Sequence, residues 1–175
     1  VLSAGTNDDK ISWYENNGSQ SFTAHIITTD ADGARSVYAV DVDGDGDMDV
    51  LSASDYDDKI SWYENNGSES FTAHIIANPN GAYGVYAIDV DSDGDMDVLS
   101  GSWGDGMSWY ENNGSQSFTT HSLTTSGQPR SVFATDIDSD GDIDLLPTNS
   151  ASGYITWYEN TSTAGGITAW TAATI

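Results

Sequence analysis

The segment Lys59-Ile60-Ser61-Trp62-Tyr63-Glu64-Asn65 places apolar or aromatic residues on both faces of an extended chain. That pattern is expected of a strand covered on each side rather than half-exposed to water. It belongs to a group of four short apolar runs separated by turn residues. Residues 37–41 are apolar and β-branched and predict a first strand. Residues 48–53 predict a second, 59–65 a third and 71–76 a fourth. Between the third and fourth lies Asn66-Gly67, with Asn17-Gly18 and Asn113-Gly114 in the same place. Asn-Gly between apolar runs is the strongest short-range hairpin signal. No window of the chain carries a sustained helical period.

The group of four recurs. Trp-Tyr-Glu-Asn returns at Trp13, Trp62, Trp109 and Trp157, a period of about 48 residues. Each unit reads V-L-S-A, a variable loop, I-S-W-Y-E-N-N-G-S-x-S-F-T-x-H, a second variable loop, S-V-Y-A, then an Asp-rich loop. A period of that size with Trp and Gly markers is propeller-like rather than solenoid-like. The predicted fold is therefore all-β. It consists of β-propeller blades of four antiparallel strands, three complete and one partial at the start. One domain is expected, with units near residues 1–28, 29–76, 77–124 and 125–175.

The two ends depart from the repeat. Val1-Leu2-Ser3-Ala4 aligns with Val50-Leu51-Ser52-Ala53, so the first unit opens at its second strand. After Asn160 the hairpin pattern lapses, and Trp170 is expected where His25, His74 and His121 stand. Exposed blade ends leave backbone groups unpaired. They predict self-association, for instance two chains closing one ring. A compact four-bladed monomer is the alternative.

Charge removes several classes of partner. The chain has 28 acidic residues against 4 basic ones, a net charge of −24. Nucleic acid and anionic membrane are repelled by such a chain. No apolar run approaches the ~20 residues of a membrane span, so no membrane insertion is expected. An aromatic content of 11% separates it from acidic disordered chains. It has no cysteine, which excludes disulfides, thiolate metal sites and a Cys nucleophile.

More than half of the acids fall in three short loops. These are Asp41, Asp43, Asp45, Asp47 and Asp49; Asp89, Asp91, Asp93, Asp95 and Asp97; and Asp136, Asp138, Asp140, Asp142 and Asp144. Two like charges ~4 Å apart repel by about 1 kcal/mol in water and by more in a drier site. Five together call for a cation. In D-x-D-x-D-G-x-x-D, positions one, three, five and nine offer side-chain oxygens and position seven a backbone carbonyl. The Gly at six permits the turn. Oxygen-only donors suit calcium, with three Ca²⁺ sites, one per loop. Magnesium, which keeps its waters, fits less well, and a solubilising acidic turn is the reading without any ion. An EF-hand needs Glu at position twelve, where this chain has Ser52, Ser100 and Pro147.

With this loop set between two strands, the chain resembles the FG-GAP/VCBS repeat family. That repeat builds integrin alpha-subunit propellers, some fungal lectins and many bacterial surface proteins. The resemblance implies calcium in the loop joining the first two strands of each blade. Family members are usually seven-bladed, more than the near-four units here.

Other constellations point to packing. His25, His74 and His121 occur one per unit, and outer-strand packing is expected of them. Glu15, Glu64, Glu111 and Glu159 lead into the turns and read as turn or edge residues. The N-x-S sequons at Asn17, Asn66, Asn113 and Asn160 fall out of the repeated turn. No asymmetric catalytic constellation emerges, so no enzyme is expected. The units disagree before the first strand (TTDADGAR, ANPNGAYG, TTSGQPR) and between the second and third. In a propeller these two loop sets share the face opposite the acidic loops. Trp103, Tyr56 and Tyr83 there suit stacking on a sugar, unless the loops are simply relaxed connections. The expected function is a non-enzymatic binding or adhesion module outside the cell, with a carbohydrate or protein ligand on the variable-loop face. A structural spacer, or an accessory part of a secreted carbohydrate-active enzyme, is the alternative.

Overall fold

The computed structural model describes residues 1–124, 127–150, 155–161 and 170–174. The first sheet has three strands, β1 (Leu2–Gly5), β2 (Lys10–Asn16) and β3 (Phe22–Thr28). The second runs β4 (Ala34–Val40), β5 (Asp49–Ser54), β6 (Lys59–Asn65) and β7 (Phe71–Ala77). The third runs β8 (Ala82–Ile88), β9 (Asp97–Ser102), β10 (Gly106–Asn112) and β11 (Phe118–Thr124). The fourth runs β12 (Pro129–Thr135), β13 (Asp144–Asn149), β14 (Thr156–Asn160) and β15 (Trp170–Thr174). All pairings are antiparallel and between consecutive strands. The propeller-like blades expected from the repeat are present. No helix is long and apolar enough to cross a membrane among the described residues.

The core lies between sheets, in three layers. The first layer joins Ile11 to Val50 and Tyr63, the second Leu51, Ile60 and Trp62 to Val85, Val98 and Tyr110. The third joins Leu99, Met107 and Trp109 to Val132 and Leu145. Side chains alternate across a strand, so the Trp-Tyr pair serves two layers at once. Trp62 faces the third sheet while Tyr63 faces the first; Trp109 and Tyr110 repeat this one blade on. Every residue of β5 and β9 is buried. The buried phenols meet serine hydroxyls, Tyr63 with Ser52 at 3.3 Å and Tyr110 with Ser100 at 3.0 Å. Burial pushes both phenols above their ordinary range.

First strands form the inner rim, with β4 beside β8 and β8 beside β12. Val85 N–H reaches across to Ser36 Oγ at 3.4 Å. A side chain added at Gly84 would stand 2.9 Å from the Arg130 carbonyl oxygen, so β12 approaches β8 closely there. Each inner strand begins before its predicted start, because it carries a β-bulge at its head. Pairing skips from Ala34 to Ser36, from Ala82 to Gly84 and from Pro129 to Ser131.

Two local expectations change. The Asn-Gly pair opens a wider loop than a two-residue turn, closed by Asn66 N–H to the Ser70 carbonyl at 3.1 Å. Gly67 at φ +74 and Glu69 at φ +60 make its reversals. Trp170 pairs with Asn160, the place of Phe22, Phe71 and Phe118, and Ala173 occupies the histidine position opposite Trp157. Trp-Thr-Ala-Ala thus aligns with Phe-Thr-Ala-His, an aromatic opening the outer strand in each case. The lapsed pattern between them, residues 162–169, lies outside the described residues.

The histidines pack on the outer strands as expected, in a definite arrangement. His25, His74 and His121 stack on Trp13, Trp62 and Trp109 with ring centroids 4.2, 4.6 and 4.4 Å apart. Their Nε2 atoms lie 3.2, 2.7 and 2.6 Å from Glu15, Glu64 and Glu111. The glutamates therefore hold the stacks.

Replacing Gly84 by alanine should cost roughly 1–3 kcal/mol, the range for overpacking a tight contact. At the equivalent positions Ser131→Ala should cost little, and Ser36→Ala only the 3.4 Å bond from Val85 N–H. Urea unfolding of the three variants measures this; equal midpoints would contradict the close approach of β8 and β12.

Candidate metal centres

Each acidic loop leaves an inner strand and enters the second strand of its blade, whose first residue is drawn into the core. Asp49 and Asp97 are 0% exposed and Asp144 1%. Both oxygens of each carboxylate accept backbone hydrogen bonds. Asp49 accepts from Val42 at 3.0 Å and Asn65 at 2.7 Å. Asp97 accepts from Val90 at 3.0 Å and Asn112 at 2.8 Å. Asp144 accepts from Ile137 at 3.0 Å and Asn160 at 2.9 Å. One side chain thus ties the loop to the third strand, in three copies.

The other carboxylates are held by the loop's own amides. Asp41 accepts from Gly44 at 2.8 Å and Gly46 at 3.0 Å. Asp136 repeats this with Ser139 and Gly141, and Asp89 with Asp93 and Gly94. Asp43, Asp91 and Asp138 each accept the N–H two residues on at 3.2 Å. Asp45, Asp93 and Asp140 accept from Asp47, Asp95 and Asp142. The reversal at position six needs positive φ, +96, +100 and +100 at Gly46, Gly94 and Gly141. Only glycine takes such angles without penalty.

Three aspartate groups able to hold a metal ion result. They are Asp41, Asp43 and Asp45; Asp89, Asp91 and Asp97; and Asp136, Asp138 and Asp144, the ligand atoms of each within 4.8 Å of one another. Position nine takes the place of position five in the second and third. Asp47, Asp95 and Asp142 join no trio among the described residues. The Asp47 carboxylate stands where a side chain on Gly67 would be, and Asp95 stands likewise against Gly114. Position seven therefore seats the neighbouring hairpin loop.

Burial pushes Asp97 up to about 6, against the bonds from Asn112 and Val90 that lower it. Burial also raises Asp43, Asp49 and Asp91.

The opposite face carries the variable loops, as the repeat implied. Asp55 and Tyr56 N–H groups bond to Gly33 and Asp32 carbonyls, and Trp103 and Gly104 to Gly81 and Asn80. The two variable sets are thereby knit together. Asn80 N–H also meets the Asp105 carboxylate at 2.8 Å and Gly81 N–H that of Asp58 at 2.7 Å. Tyr56 and Trp103 stay 63% and 53% exposed. Tyr83, half-buried, lies between the guanidiniums of Arg35 and Arg130, 4.9 and 5.0 Å from its ring centroid. The arginines drew no notice in the sequence; their equivalence across units was the available signal.

With divalent ions chelated, stability should fall as pH rises from about 4 to about 7. Below the ordinary Asp value both folded and unfolded states are protonated. Between there and about 6 the unfolded chain releases the Asp97 proton while the folded chain keeps it. At neutral pH that costs about 3 kcal/mol, and the other raised aspartates add with the same sign. Melting temperatures in chelator across this window test it; a rise with pH would refute it.

FG-GAP-like repeats match residues 1–52, 41–100 and 89–146, each match overlapping the next across an acidic loop. No curated protein matches the chain. Among solved structures, a lectin of Agrocybe aegerita matches with a TM-score of 0.59 at 16% identity. That lectin is described as specifically recognising non-reducing terminal N-acetylglucosamine. The match covers 99% of this chain and 51% of the lectin, so the chain spans about half the length of the lectin. At this identity the likeness is one of fold. The repeat matches, falling on the strand–acidic loop–strand units described above, place this chain in the FG-GAP-like repeat family.

Proposed function

We propose that the chain is a calcium-stabilised propeller module that binds saccharide on its variable-loop face, without catalysis, as part of an exported protein. The observation that carries the calcium reading is that all three loops bring an oxygen-only aspartate trio together, positions one and three in each joined by five or nine. Calcium takes six to eight oxygen ligands in flexible geometry, whereas magnesium demands a small octahedron and keeps its waters. Asp41, Asp43, Asp45 and Asp49 would hold the first ion with the Asp47 carbonyl. Asp89, Asp91, Asp93 and Asp97 with the Asp95 carbonyl would hold the second. Asp136, Asp138, Asp140 and Asp144 with the Asp142 carbonyl would hold the third. Millimolar extracellular calcium suits such sites.

The saccharide reading rests on the face away from these loops. Exposed Trp103 and Tyr56 offer ring faces for a pyranose, and Asp55, Asn80 and Asp105 lie beside them. Aromatic rings with a few convergent polar groups are the usual make-up of a small-ligand site. The lectin of similar fold favours the same ligand class. Self-association through the three-stranded first sheet is compatible with this role.

Calcium should raise the melting temperature at neutral pH, because ions bound only by the folded state add directly to stability. At about a hundredfold excess over Kd each site adds about 2.7 kcal/mol. Scanning calorimetry in calcium and then in chelator checks this, and an unchanged midpoint would dispose of the metal reading. A glycan array probed in calcium tests the ligand class. Loss of binding in Trp103→Ala, with melting retained, locates it; an array without binding points to a structural spacer.

A further inference from the structure

Three equivalent positions on the inner rim carry both arginines of this acidic chain and a tyrosine between them. Arg35, Tyr83 and Arg130 are each the extra residue of the bulge at the head of β4, β8 and β12. A bulged residue is released from the strand ladder and its side chain re-aimed, which is why bulges recur beside binding sites. Here the three re-aimed side chains meet. The Arg35 guanidinium lies 4.9 Å from the Tyr83 ring centroid and 5.5 Å from that of Tyr56. Arg130 lies 5.0 Å from the Tyr83 ring centroid.

Charge pairing separates the two arginines. Of the 4 basic side chains, Lys10 pairs with Asp8, Lys59 with Asp57 and Arg35 with Asp55. Arg130 is exposed and, among the described residues, has no carboxylate partner. Arg35 spends Nε and one terminal nitrogen on a single Asp55 oxygen, which leaves donors free. The trio therefore presents a planar, oriented guanidinium surface with one uncompensated positive charge. Guanidinium forks match carboxylate and sulfate oxygens better than any other side chain.

We infer that Arg130, Tyr83 and Arg35 recognise a fixed anionic group on the saccharide, a carboxylate or a sulfate ester. This rests on the saccharide-binding reading and narrows it to acidic glycans. Arg130 pairs with the anion, Tyr83 holds both guanidiniums in place, and Arg35 adds donors while Asp55 balances its charge. The net negative field of the chain does not prevent this, because exposed charges beyond about 8 Å are largely screened at physiological salt. Recognition is thus at contact range, without long-range steering.

The test is calorimetric titration, in calcium, of three oligosaccharides of equal length: an oligouronate, a sulfated one and a neutral one. The wild type should bind at least one acidic ligand more tightly than the neutral one; which of the two it prefers identifies the anion. Arg130→Gln should weaken that binding by about tenfold, as loss of one charge-assisted contact would. Arg130→Lys should fall between the two. Lys10→Gln, with the same change in net charge elsewhere, should bind as the wild type does. Binding of the neutral sugar alone would overturn this inference and leave the saccharide reading intact. Binding of none would overturn both. Acidic binding that survives Arg130→Gln, or falls equally in Lys10→Gln, would overturn the site.

Discussion

A carboxylate buried at the mouth of each complete blade organises everything around it. Asp49, Asp97 and Asp144 have no exposed surface to speak of, and burial holds Asp97 well above the usual carboxylate range. Burial of a charge is tolerated only when it is hydrogen-bonded or paired. Two backbone amides meet each one, the first from the loop and the second from the third strand. That requirement fixes the loop's path, the register of the Trp-Tyr strand and the place where further aspartates gather. The acidic loop and the blade are consequently one device. Neither could shift without stranding a charge.

The same economy runs through the layers. The second and third sheets keep no solvent face of their own, since Trp and Tyr on one strand bury against different neighbours. Stability then resides in contacts between successive blades, as in other repeat architectures. The stacked His-Trp pairs on the outer strands and the buried Ser-Tyr hydrogen bonds recur from blade to blade.

Much of this was legible because repetition multiplies weak signals. One Asp-rich turn is ambiguous, but three in register between apolar runs are not, and the strand positions followed with shifts of a few residues. Which aspartates converge was less readable. Position seven looks like its neighbours in sequence, yet Asp47 and Asp95 turn toward Gly67 and Gly114 because a hairpin loop lies beside them. Likewise position nine is an aspartate among five until its burial is seen. Trp170 was misplaced because the irregular stretch before it hid the register, although Trp-Thr-Ala-Ala carries the outer-strand pattern. The inner-rim arginines escaped for another reason. A bulge breaks the twofold alternation from which side-chain direction is read, so their convergence had no periodic trace.

That bulge has a consequence for how such a chain can change. Residues in the ladder are constrained twice, by pairing and by the layer they face. The single residue set aside at the head of each inner strand answers to neither, and it already differs between blades, Arg, Tyr and Arg. It behaves as an exchangeable slot. A family built on this plan can rewrite its inner rim one blade at a time, leaving the scaffold that presents it untouched.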